Sequence, residues 1–144
     1  MYHTREVTES EDGIPYVVRS KFNNGIKYLV KKPSSEINPP KVISFGAENA
    51  TFFYQEREWV SGRDIYYIDT REIDKYACLF ITACLQPIAA KYSYNFGLFP
   101  DLLRKEKIKL PIDNSGNPDY KYMTEFMRAL EAKSAQTIQQ LRLA

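Results

Sequence analysis

Three groups of residues have types that catalysis uses. Asn38-Pro39-Pro40-Lys41 opens like the Asn-Pro-Pro-aromatic motif of amino-methyltransferases. That chemistry needs an aromatic ring to stack on a flipped base, and Lys41 supplies none. No glycine-rich loop for a methyl donor precedes it. Pro118-Asp119, followed by Glu131-Ala132-Lys133, has the spelling of a nuclease metal site. Such acids must converge on Mg²⁺, usually from adjacent strands. Here both fall on one predicted helix, roughly 18 Å apart along its axis. His3 is the only histidine and lies in a polar N-terminal segment, so any Ser-His-Asp or Cys-His relay would rest on it alone. No zinc spacing, phosphate-binding loop or dinucleotide fingerprint occurs. The expectation is a chain with no catalytic residues, no metal and no cofactor.

Two other segments carry residue types suited to nucleic acid. Arg19-Ser20-Lys21-Phe22-Asn23-Asn24-Gly25 combines basic side chains with Asn at a tight turn. Arg pairs with guanine edges, Asn with adenine, and Lys or Ser with phosphate. The plainer reading is a hairpin whose Asn residues only satisfy left-handed backbone, and for Asn24, which precedes Gly25, that reading is strong. Lys91-Tyr92-Ser93-Tyr94-Asn95 alternates polar and aromatic residues. In a strand, Lys91, Ser93 and Asn95 would share one face while Tyr92 and Tyr94 packed inward. The plainer reading is an ordinary edge strand. The net charge is only +2, but Lys and Arg cluster at 19–21, 27–32 and 104–109. The last run, RKEKIK, holds four bases and one acid, and could supply phosphate contacts or be a solvated face.

The elements that must position these residues read as strands first and helices later. At 144 residues and 44% hydrophobic, the chain suits one domain with a real core. Ile14–Arg19 and Ile26–Lys31 are strand candidates joined through Asn-Gly, a strong hairpin signal. Lys41–Phe45, Thr51–Tyr54 and Asp64–Ile68 look like further strands, with a turn at 61–63. Asp69-Thr70-Arg71-Glu72 fits a capping box, and an apolar helix should follow to about Ile88, ended or kinked by Pro87. Lys91–Phe96 alternates as a strand would, Pro100–Lys105 suits a short helix, and Lys107–Pro111 an extended segment. Asn117 can cap a last helix that has Pro118 at its first position. The fold class predicted is α+β: a mixed, strongly twisted small sheet with a buried central helix, then a long amphipathic C-terminal helix.

That last helix places Met123, Met127, Leu130, Ile138 and Leu141 on one face. At about 25 residues it is a rod of roughly 38 Å, which either folds back on its own core or projects toward a second chain. Cys78 and Cys84, six residues apart on the central helix, are about 9 Å apart and cannot form a disulfide. The N-terminus is polar and no run of about 18 apolar residues occurs. The expectation is a cytoplasmic protein with no membrane contact.

An ordered string of residues carries a resemblance. It runs through Ile14-Pro15-Tyr16-Val17-Val18-Arg19-Ser20, Asn23-Asn24-Gly25-Ile26, Ile43-Ser44, Phe52-Phe53-Tyr54-Gln55 and Asp64-Ile65-Tyr66. It continues with Leu79-Phe80-Ile81, Lys91-Tyr92-Ser93-Tyr94, Lys109-Leu110-Pro111 and Gly116-Asn117-Pro118-Asp119-Tyr120 with Tyr122-Met123. Over about Gly13–Met127 the chain resembles the target-recognition domains of type I restriction–modification specificity subunits and related restriction–methylation enzymes. The stretch IKLPIDNSGNPDYKYM looks like that family's exit into its spacer helix. The resemblance implies a recognition domain over 1–116 and a spacer or dimerisation helix over 117–144. It implies binding to part of a bipartite double-stranded DNA site, with a methyltransferase subunit as partner and a restriction subunit as a further one. Cofactors would belong to those partners. It places Arg19, Ser20, Asn23, Asn24, Lys91, Tyr92, Ser93 and Tyr94 near DNA, to which Lys21 and Asn95 add themselves by residue type. A complete type I subunit carries two recognition domains and two helices, and this chain has one of each. It is then a half-length subunit, an excised domain or a split-gene product, and as a half-subunit it would pair with a second copy through its helix. The competing expectation is an interaction module that docks a methyltransferase without reading DNA.

Overall fold

The computed structural model describes residues 1–48 and 50–143. The α+β class holds, with the strands shared between two three-stranded sheets. The first is mixed. β1 (Glu9–Val17) pairs antiparallel with β2 (Ile26–Val30) and parallel with the short β5 (Val60–Ser61). The second is antiparallel, with β3 (Val42–Gly46) between β4 (Phe52–Gln55) and β6 (Ile65–Asp69).

β3 is buried along its whole length because both of its faces are covered. One face meets α1 (Lys75–Ala89): Ile43, Phe45, Phe52 and Tyr54 form a cluster with Ala77, Cys78, Ile81, Leu85 and Ile88. On the other side Val42 joins Val17, Trp59 and Ile65 in a smaller cluster at the junction of the two sheets. Polar bonds cross the same junction. Asn24 Nδ2 donates to the Tyr54 carbonyl (2.9 Å), while Gln55 Nε2 donates to the Asn24 carbonyl (3.1 Å) and to Ser44 Oγ (2.9 Å).

β1 bulges where Glu9 and Ile14 both face Val30. Gly13 lies inside this bulge, and a Cβ there would stand 2.1 Å from the Val30 carbonyl oxygen. A backbone atom cannot swing aside as a side chain can. Gly13→Ala is therefore expected to lower stability by about 2–3 kcal/mol, read as a lower urea midpoint at unchanged slope.

Several local expectations are corrected. The central helix starts at Lys75, capped by Asp74, whose carboxylate accepts from the Tyr76 and Ala77 amides. Asp69 cannot cap it, because that residue still pairs with Val42 in β6. Its carboxylate grips Arg71 Nε instead (2.9 Å), and the guanidinium holds it down to about 2. Pro87 is accommodated in the last turn, two residues before the helix ends at Ala89. Lys91–Phe96 is a tight turn rather than a strand: Ser93 and Phe96 exchange backbone bonds of 2.9 and 3.1 Å. α2 is Pro100–Leu103. The last helix, α3, spans Tyr120–Leu143, and its cap is Asp119 rather than Asn117, with Oδ1 accepting from the Tyr122 amide. Asn117 is held instead in a turn around Asp113, whose Oδ1 accepts from the amides of Ser115 and Asn117.

The start of α3 packs on α1. Met123 is fully buried, Phe126 meets Phe80 edge-on at 5.6 Å, and Tyr76 donates to Glu131. Thr124 donates to Asp74, and the Arg128 guanidinium sits over the Tyr76 ring. From Arg128 onward every described residue of α3 is exposed, with Arg128 and Glu131 still reaching Tyr76 of α1. Both cysteines are free thiols. Among the described residues no helix is long and apolar enough to cross a membrane.

Candidate nucleic-acid interface

The two segments singled out in the sequence lie seventy residues apart and meet in space. Lys21 shares one cleft of about 410 Å³ with Tyr92, Ser93 and Tyr94; Glu48, Thr51, Ala89 and Ala90 complete its walls. The first segment is the loop between β1 and β2. Asn23, Asn24 and Gly25 take positive φ in succession (49°, 54° and 76°), which Asn tolerates better than other side-chain-bearing residues. The second is the turn that follows α1.

The candidate residues divide by what they already do. Arg19 pairs with Glu48 and lies 3.7 Å from Asp64. Ser20 Oγ accepts from the Phe22 amide (3.1 Å), and Asn23 Nδ2 donates to the Ile26 carbonyl (2.9 Å). Asn24 is tied to β4, as described, so both Asn side chains of this loop already have partners within the fold. Lys21, Ser93, Tyr94 and Asn95 are exposed, and among the described residues none of them has a side-chain hydrogen bond or ion pair. Tyr94 is 79% exposed, whereas Tyr92 is half-buried. The inward packing expected of both tyrosines holds for Tyr92 alone, because a turn, unlike a strand, sends its tip residue outward.

A third segment joins them through a residue that sequence reasoning passed over. Glu106, the one acid of the RKEKIK run, accepts from Lys91 Nζ (2.6 Å) and from the Tyr92 hydroxyl (2.8 Å). These bonds hold the basic run beside the turn. Along the run, Lys105, Lys107 and Lys109 are exposed while Glu106, Ile108 and Leu110 are half-buried. The alternation sets the three lysines outward, and among the described residues none of them has a carboxylate partner. A lone acid in a basic run is the sequence signal that was available. Arg104 pairs with Asp101 at 2.6 Å.

Lys91 foremost, and then the Tyr92 hydroxyl, hold the Glu106 carboxyl below its ordinary value of 4.5. A depressed carboxylate stabilises the fold at pH above its unfolded value, and that contribution is lost as pH falls through the folded one. Glu106→Gln should therefore loosen the turn at neutral pH, and the difference from the unsubstituted chain should vanish in acid. Hydrogen exchange at the Phe96 amide, measured against pH, checks this.

The acids and histidine weighed as catalytic groups are placed apart. Asp119 caps α3, and Glu131 accepts from Tyr76 further along the same helix. His3 donates its backbone amide to Glu6. Lys41 is exposed, and the Asn38-Pro39 segment bonds to Trp59. Of the helix residues expected to meet a partner, Met123 is taken up by the chain's own core. Met127 is half-buried, while Leu130, Ile138 and Leu141 are 46%, 52% and 72% exposed.

The family described as the Type I restriction modification DNA specificity domain matches residues 3–141. The chain belongs to this family. A similar protein is the Type II restriction enzyme BgcI specificity subunit S.BcgI of Heyndrickxia coagulans, 26% identical over 121 residues. That alignment covers 82% of this chain and 35% of the relative, so this specificity domain spans about a third of the relative's length. No solved structure matches the domain.

Proposed function

We propose that this specificity domain recognises a short sequence in double-stranded DNA and directs a methyltransferase, with or without a nuclease, to that site. The family match over residues 3–141 carries the reading. The meeting of Lys21, the 91–95 turn and the 104–109 run supports its placement on the molecule. In this reading Lys21, Lys105, Lys107 and Lys109 contact phosphates, while Asn95, Ser93 and Tyr94 approach the bases from the turn's tip. Arg19, Ser20, Asn23 and Asn24 shape the loop, and Lys91 and Tyr92 brace the turn. The chain divides into a recognition domain, 1–116, and a spacer, 117–144. On the spacer, Met127, Leu130, Ile138 and Leu141 face the helix of a partner or of a second copy. The domain performs no chemistry itself.

Selection from a random-sequence duplex pool tests the reading. One enriched short motif is the expected result; retention of duplexes without enrichment would contradict it. The internal engagement of Arg19 and Asn24 also suits a module that only docks a methyltransferase. Such a module would form that complex and retain no duplex.

A further inference from the structure

We infer that Tyr94 is a stacking wedge that holds open a base step of the bound duplex, with Phe22 exposed on the neighbouring loop. This rests on the duplex-binding reading above. Tyr94 is 79% exposed and lines the cleft with Lys21, and Phe22, the residue after Lys21, is 81% exposed. A single exposed ring is ordinary on a protein surface. These two differ because the backbone that carries each is braced.

The Tyr94 turn is closed by the paired Ser93–Phe96 backbone bonds. Within it Tyr92 and Phe96 stack with centroids 5.6 Å apart and planes at 5°. The Tyr92 hydroxyl is fixed in turn by Glu106. The Phe22 tip is closed by its amide on Ser20 Oγ and by the Gly25 amide on its carbonyl (2.9 Å). The stacked Tyr92–Phe96 pair and the Ser93–Phe96 bonds thus fix the backbone of the turn, and the Tyr94 ring stands exposed at its tip. A backbone already held in place has less freedom to lose when the ring it carries inserts, so more of the stacking energy remains as binding.

The surroundings favour a base step over an apolar protein surface. Lys21 precedes Phe22, Ser93 and Asn95 flank Tyr94, and Lys105 and Lys107 flank the Glu106 brace. Cations beside an exposed ring suit a ligand with an anionic backbone and flat apolar faces. Rings inserted between bases unstack and kink the duplex. Pyrimidine–purine steps open most readily, so such a step is expected inside the recognised sequence.

The test uses a duplex selected from a random pool by the full chain, with 2-aminopurine placed at each adenine in turn. Emission should rise at one step on binding. Tyr94→Ala should abolish that rise and weaken binding about tenfold at unchanged salt dependence, whereas Tyr94→Phe keeps both. Lys21→Ala should lower the salt dependence and keep the rise. Flat emission at every position with tight binding by the unsubstituted chain would overturn the wedge and leave duplex recognition standing. So would a Tyr94→Ala chain that matches it in both readouts. A Tyr94→Ala chain that binds duplex normally but loses a methyltransferase subunit would assign the ring to protein docking and overturn the wedge. No salt-sensitive duplex binding at all would overturn both readings.

Discussion

Trp59→Ala is expected to lower the melting temperature by roughly 10–20 °C. Trp59 is fully buried between the two sheets, against Val17, Val42 and Ile65. Its Nε1 donates to the Pro39 carbonyl (3.1 Å), and Tyr67 meets its ring edge-on. Truncating a buried tryptophan costs about 3–5 kcal/mol. A domain of this size has about 5–15 kcal/mol in all, and each 1 kcal/mol moves its midpoint by about 3–4 °C. The effect reaches the candidate interface, since Val17 ends β1 and the Lys21 loop leaves from there. Trp59→Phe should fall between, because it keeps most of the apolar volume and leaves the Pro39 carbonyl without its donor. Differential scanning calorimetry reads both. A shift under about 3 °C for the alanine variant would mean that the sheet junction is not part of the cooperative core.

Replacing Lys21, Lys105, Lys107 and Lys109 together by alanine is expected to weaken duplex binding about 100-fold or more at 0.1 M salt. Each phosphate neutralised by a lysine releases condensed counterions and contributes about 0.9 to the slope of log K against log salt. Removing the four cations should flatten that slope by about 3 to 4. All four side chains are exposed and none has a carboxylate partner among the described residues, so the melting temperature should hardly move. Arg19→Ala should behave in the opposite way. It removes a partner of Glu48 and one of the two arginines at Asp64, the other being Arg63 at 3.4 Å, and disturbs the loop before it alters any phosphate contact. Equal slopes for the fourfold variant and the unsubstituted chain would place the DNA surface elsewhere.

The sequence was most legible where one residue type had one physical use. Asn-Gly marked the β1–β2 connection, and the apolar runs of β3, β4 and β6 were readable because strands half or fully buried need them. β5 was not legible: two residues, Val60 and Ser61, pair with β1 through tertiary contact alone. Period-two alternation misled at Lys91–Phe96, where a four-residue turn has the same spelling as a short strand. The Asp69 and Asn117 caps failed for a related reason. Both are residue types that cap helices, but sheet pairing held one and the turn around Asp113 held the other. At the candidate interface the two segments were legible by type. Their meeting was not, nor was the difference between Asn24, used by the fold, and Asn95, left at the surface. Residue types name groups able to bind, and only the packing says which of them are already engaged.

Fluorescence anisotropy of the full chain, titrated onto its selected duplex and onto a scrambled one over a salt series, tests the central claim most directly. Binding to the selected duplex should be at least about 100-fold tighter than to the scrambled one, with log K falling linearly with log salt for both. Equal affinity for the two duplexes, or no salt-dependent binding to either, would contradict the assignment of sequence recognition to this chain.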